Sequence, residues 1–93
     1  MKLRPSDQPP TYEPQVGIVR FDMENEGQVI HCMVSESALR GRAAMAGDTE
    51  LDIAALFEKY RSEVENIAVA QYSDGEQHPM IVSTDLVRPP PLP

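Results

Sequence analysis

Between Leu51 and Tyr72 the apolar positions recur every three or four residues. Ile53, Leu56, Phe57, Tyr60, Val64, Ile67 and Ala68 share one stripe, and Glu58, Ser62, Glu65 and Asn66 fall opposite. This is the period of an amphipathic helix, long enough to organise a core, and its apolar stripe requires a covering partner. A different rhythm runs from Val16 to Met23. There Val19, Phe21 and Met23 alternate with Ile18, Arg20 and Asp22, the period-two pattern of a half-buried strand. Glu24 to Gly27 interrupt it, and Gln28 to Val34 resume a β-branched, apolar run, so the two segments predict a hairpin. With Glu24 to Gly27 as a four-residue loop, Met23 faces Gln28, Phe21 faces Ile30 and Val19 faces Cys32. Val19, Phe21, Ile30, Cys32 and Val34 then share the buried face, and Arg20, Asp22, Val29, His31 and Met33 share the other.

The connecting segments complete the outline. Ser35 or Ser37 can cap a short, alanine-rich helix reaching about Ala46, with Glu36 in its positively polarised first turn. Gly47 can end that helix, and Asp48 or Thr49 can start the long one, with Glu50 and Asp52 in its first turn. Ser73, Asp74 and Gly75 mark a turn, after which Pro79 to Ser83 return to a strand pattern that Thr84 and Asp85 close. Pro5, Pro9, Pro10 and Pro14 stand among polar residues near the start, so residues 1–15 read as a proline-rich, flexible arm. Residues 16–86 read as one compact domain and residues 87–93 as a proline-rich tail favouring polyproline II. The expected fold is α+β: a small antiparallel sheet in the order β-β-α-α-β, packed on one long amphipathic helix.

Composition narrows the function classes. The chain has 93 residues, enough for one core and no second domain. Its net charge of -7, with scattered Lys and Arg, opposes the phosphate backbone, and nucleic acid is not an expected partner. The same charge disfavours anionic membrane surfaces, and no apolar run approaches the roughly twenty residues of a membrane span. The opening MKLRPSDQPP lacks the apolar middle of a signal peptide, which points to the cytoplasm. Cys32 is the single cysteine, so an intrachain disulfide is impossible. In an apolar strand it reads as a small core hydrophobe.

Candidate chemistry is sparse. His31 and His78 are the two histidines, each without a second ligand at metal spacing, and no metal or cofactor is expected. The hairpin sets Asp22 near His31 on a diagonal, so Arg20, Asp22 and His31 read as a polar cluster on the sheet surface. The serines are accounted for as caps, turns and strand positions, and no glycine-rich phosphate loop is present. On the long helix, Lys59 with Glu63 and Arg61 with Glu65 are four apart, the spacing of a solvated helix face. The end, RPPPLP, has the character of ligands for aromatic-lined grooves, although the proline that would complete the repeat falls past the last residue.

The order of signals resembles a known family. The hairpin residues Val19-Arg20-Phe21, the run from Cys32 through Ser35 and Glu36 to Leu39, the stretch Phe57-Glu58-Lys59-Tyr60-Arg61 through Ile67-Ala68 to Tyr72, and the ending Ser83-Thr84-Asp85-Leu86 carry the resemblance. They are similar to domain-of-unknown-function family 1488, small bacterial proteins, over residues 12–86. The resemblance implies a compact α+β domain and supplies no functional residues. The expected role is therefore a non-enzymatic accessory or regulatory protein working through protein contacts, with self-association across the open sheet face or an edge. Its interaction surface is Arg20, Asp22, Val29, His31 and Met33. The alternative is an enzyme, or enzyme subunit, whose site is completed across a dimer around His31. A third reading, an acidic mimic of nucleic acid, requires Asp and Glu arrayed at phosphate-like spacing.

Overall fold

The computed structural model describes residues 3–6 and 8–86; the RPPPLP tail lies outside them. Among the described residues the eight elements are β1 (Arg4–Pro5), β2 (Thr11–Glu13), β3 (Ile18–Asn25), β4 (Gln28–Ser35), α1 (Glu36–Met45), α2 (Ile53–Ser73), β5 (Met80–Ile81) and α3 (Ser83–Leu86). The fold is α+β. The two alternating segments pair as the central hairpin, but two residues out of the expected register: Val19 lies opposite Val34, Phe21 opposite Cys32 and Met23 opposite Ile30. The cause is the turn. Glu24 and Asn25 stay in the ladder, and the chain reverses through Glu26 and Gly27 alone, both at positive φ (51° and 83°). This is the primed turn whose twist suits a hairpin, here with a glutamate accepting the left-handed conformation. Because the shift is an even number, it moves partners without exchanging faces.

The sheet has five strands and is mixed, which corrects the antiparallel expectation. β5 runs parallel to β4, with Met33 beside Met80 and Val34 beside Ile81. The chain leaves the top of β4 into α1 and α2, and such a helical crossover returns the next strand in the same direction. The other correction concerns the arm. Arg4 and Pro5 pair with Glu24 and Met23, and Thr11 to Glu13 pair with Arg20 to Ile18, so both segments join the outer edge of β3. Leu3 is buried in the core, Tyr12 donates its hydroxyl to Glu36 at the start of α1, and Arg20 pairs with Glu13. Prolines between the two strands hide this segment from any period-two reading, yet extended backbone is what prolines favour at a sheet edge.

Both helices cover one face of the sheet. Val19, Phe21, Met23, Ile30, Cys32 and Val34 form one cluster with Ala38, Leu39 and Ala43 of α1, the α2 stripe, Ile81 and Leu86. Phe21 and Phe57 meet with ring centroids 5.3 Å apart. Ser35 caps α1, its Oγ accepting from the Ala38 N–H at 3.0 Å. The cap of α2 is Asp52, not Asp48 or Thr49; its carboxylate accepts from the Ala54 N–H at 3.2 Å. Asp48 instead ties the inter-helix loop to α2, accepting from Lys59 Nζ at 2.6 Å and the Tyr60 hydroxyl at 2.9 Å. Lys59 is thereby drawn away from Glu63, which binds Arg42 of α1 through both oxygens at 2.8 and 2.9 Å; the expected Arg61–Glu65 pair forms at 3.0 Å.

One side chain finishes the sheet. From the last turns of α2, the Gln71 amide accepts from the Met80 N–H at 3.0 Å and donates to the Met80 carbonyl at 3.1 Å. This two-way contact imitates a neighbouring strand, so the backbone of β5 is satisfied on the side away from β4.

Candidate functional site

The face of the sheet opposite the helices carries the candidate residues, and the hairpin brings all five together. Asp22 and His31 lie directly opposite one another rather than on a diagonal, with His31 Nδ1 2.8 Å from Asp22 Oδ1. With the carboxylate accepting, the ring donates through Nδ1 and turns Nε2 outward. One step along the same face, Arg20 lies opposite Met33, which lies beside Met80 of β5. One step the other way, Val29 lies opposite Glu24 and is 49% exposed. The patch is thus a row of partly apolar groups crossed by the Glu13–Arg20 ion pair and the Asp22–His31 hydrogen bond.

A shallow hollow of about 470 Å³ opens on this patch. Its floor includes Arg20, Asp22, His31 and Met33, with Pro9 and Thr11 of the arm on one side and His78 on the other. His78 is the residue that sequence reasoning left apart. Pairing Met80 with Met33 in parallel sets His78 level with His31, so reading Pro79 to Ser83 as parallel to β4 would have brought the two histidines together. Even so, among the described residues no three or more His, Cys, Asp or Glu side chains are arranged to hold a metal ion.

Cys32 borders the same hollow through its strand yet belongs to the core. It is 1% exposed, and burial, followed by the charges of Asp22 and Glu65, pushes its thiol up to about 12. The protonated sulfur contacts the Ile30 carbonyl at 3.6 Å and is no nucleophile. A larger recess of about 650 Å³ lies along α1, α2 and α3, but its cation Arg42 is held by both oxygens of Glu63 and stacks on Tyr60, 4.9 Å from the ring centroid. The cation of that recess is thus engaged within the helix surface. The open sheet face keeps more of its chemistry directed outward.

Among the described residues, these features define a small α+β protein whose mixed sheet is covered by helices on one side. The chain matches the model of DUF1488, a protein of unknown function, over residues 5–82, and it belongs to that family. It is similar in fold to a crystal structure of a protein of unknown function from the DUF1488 family of Shewanella loihica PV-4. The TM-score is 0.63 at 22% identity, with 86% of this chain and 91% of that chain covered. No curated protein matches the chain. No described helix is long and apolar enough to cross a membrane.

Proposed function

We propose that the protein is a non-enzymatic accessory or regulatory module of the cytoplasm, acting through protein contacts made by the open sheet face. The supporting observation is the patch itself: Arg20, Asp22, Val29, His31 and Met33 are presented together on the face that neither long helix covers. Mixed patches of this kind, with paired charges around partly exposed apolar groups, suit recognition by another protein surface. The net charge of -7 argues against nucleic acid and anionic membranes as partners. Recovery of tagged protein from its host tests the reading. Wild type and a Val29→Glu variant, matched for folding by circular dichroism, should retain different sets of proteins, and identical sets would overturn it.

The second reading is an enzyme site completed across a dimer, favoured by the 2.8 Å contact that orients the His31 ring. In that arrangement Asp22 would fix the ring and Nε2 would serve as the base. Replacing His31 with alanine separates the two: an unchanged fold and an unchanged host phenotype remove the enzyme.

A further inference from the structure

We infer that the open face is closed by a second copy of this chain, about a two-fold axis running across the strands between the Arg20–Met33 row and the Asp22–His31 row. This names the partner of the contact face and rests on the reading above. The two sheet edges are poor alternatives. Gln71 already occupies the free side of Met80 at the β5 edge. The β1 and β2 edge is interrupted by Pro5, Pro9, Pro10 and Pro14, which cannot donate to an added strand. The face is left as the surface on which a second sheet can stack, at the usual spacing of about 10 Å.

Charge singles out the same surface. On this face Arg4 and Arg20 stand against Glu13, Asp22 and Glu24, close to balance, whereas the chain as a whole carries -7. The acidic excess therefore lies elsewhere, including Glu50, Asp52, Glu58, Asp74 and Glu76, so two copies repel one another least when they approach sheet to sheet. The proposed axis also makes the patch self-complementary. It reverses strand direction and exchanges the two rows, setting Arg20 of each copy over Asp22 of the other, and Met33 of each over His31 of the other. Such reciprocity is what an isologous two-fold contact requires.

The face is small, which points to a weak contact. The two eight-residue strands, at about 3.3 Å per residue and about 4.8 Å apart, present roughly 250 Å² per copy, and β1, β2 and β5 widen the face to roughly 350 Å², about 700 Å² in all. That is below the size of a stable specific interface and within the range of weak, transient contacts. The dimer is consequently weak, with a dissociation constant on the order of 100 μM.

Charge exchange tests it. Sedimentation equilibrium from 10 μM to 1 mM should show wild type passing from monomer to dimer. Arg20→Glu alone and Asp22→Arg alone should each weaken dimerisation about tenfold or more, because each turns two attractions into two repulsions. Mixing the two variants should restore a heterodimer, since each then supplies the charge that the other lacks, a rescue open only to folded chains. A wild type that stays monomeric at 1 mM overturns the dimer, while the host-recovery experiment independently decides the contact reading. A dimer indifferent to both single variants overturns this face as its site. Single variants that weaken dimerisation without rescue on mixing overturn the proposed axis.

Discussion

The hairpin of β3 and β4 places two very different surfaces one residue apart. On one side Val19, Phe21, Met23, Ile30, Cys32 and Val34 are all at most 5% exposed and packed under both helices. On the other, the His31 side chain is 73% exposed and Val29 is 49% exposed, and polar contacts pair side chain with side chain across the ladder. Burial removes water from the first surface and supplies most of the folding energy, while exposed charge pairs supply very little. Sequence on the helix side is therefore constrained by volume. On the open side it is free to be chosen for what it touches. The sheet itself separates the residues that fold the chain from those left open to solvent, where the proposed contacts lie.

The sharpest test of this division is Phe57→Ala. The ring is fully buried and meets Phe21 at 5.3 Å, so its loss should cost about 3–5 kcal/mol in urea unfolding, a large share of the 5–15 kcal/mol typical of a domain. A cost under about 1 kcal/mol would mean that the covered face does not carry the fold. Next comes Gln71→Ala. It leaves the Met80 N–H and carbonyl without their partner and should cost about 1–3 kcal/mol. It should also raise concentration-dependent aggregation, measured by light scattering, because a bare strand edge is exposed. Unchanged scattering would show that the β5 edge is protected by something other than the glutamine.

The helix side also holds a titratable latch. Asp48 is lowered from its ordinary 3.8 to about 2, first by the Lys59 hydrogen bond, then by the Glu50 N–H and the Tyr60 hydroxyl. A carboxylate with a depressed folded value stabilises the protein above its unfolded value and loses that contribution as pH falls through the folded one. The stability gap between wild type and Asp48→Asn should therefore be full above about pH 5, shrink as pH falls through about 2 and close below it. Denaturant titrations across that range measure it. A gap independent of pH would show that Asp48 acts by shape alone.

Periodic features were legible in the chain, and features set by a single contact were not. The α2 stripe, a serine cap at Ser35 or Ser37 and the faces of Ile18 to Met23 and Val29 to Val34 follow from spacing, because a face depends only on parity, whereas Glu24 and Asn25 were read as loop. Register depends on the turn, and nothing in Asn25-Glu26-Gly27-Gln28 announces that a glutamate will take positive φ. The arm strands have no hydrophobic alternation, only Leu3 and Tyr12 as anchors within a proline-rich stretch. The Gln71 contact with Met80 joins residues on either side of a turn and has no spacing rule to reveal it. For the candidate site, Arg20, Asp22, Val29, His31 and Met33 were readable from parity, whereas His78 required knowing that β5 is parallel.

The smallest effect tests the comparison from its other side. His31 and Cys32 are adjacent in sequence and point to opposite faces, so substitution of the histidine should leave the core untouched. His31→Ala removes an exposed contact with Asp22 and should change stability by less than about 0.5 kcal/mol, read from the same unfolding curves. Any alteration of self-association or partner recovery in that variant then reports on the surface, since the fold beneath is intact. A loss of more than about 1.5 kcal/mol would mean that the Asp22–His31 pair helps hold the hairpin together. In that case the open face would be contributing to folding, and the separation of roles between the two faces would not stand.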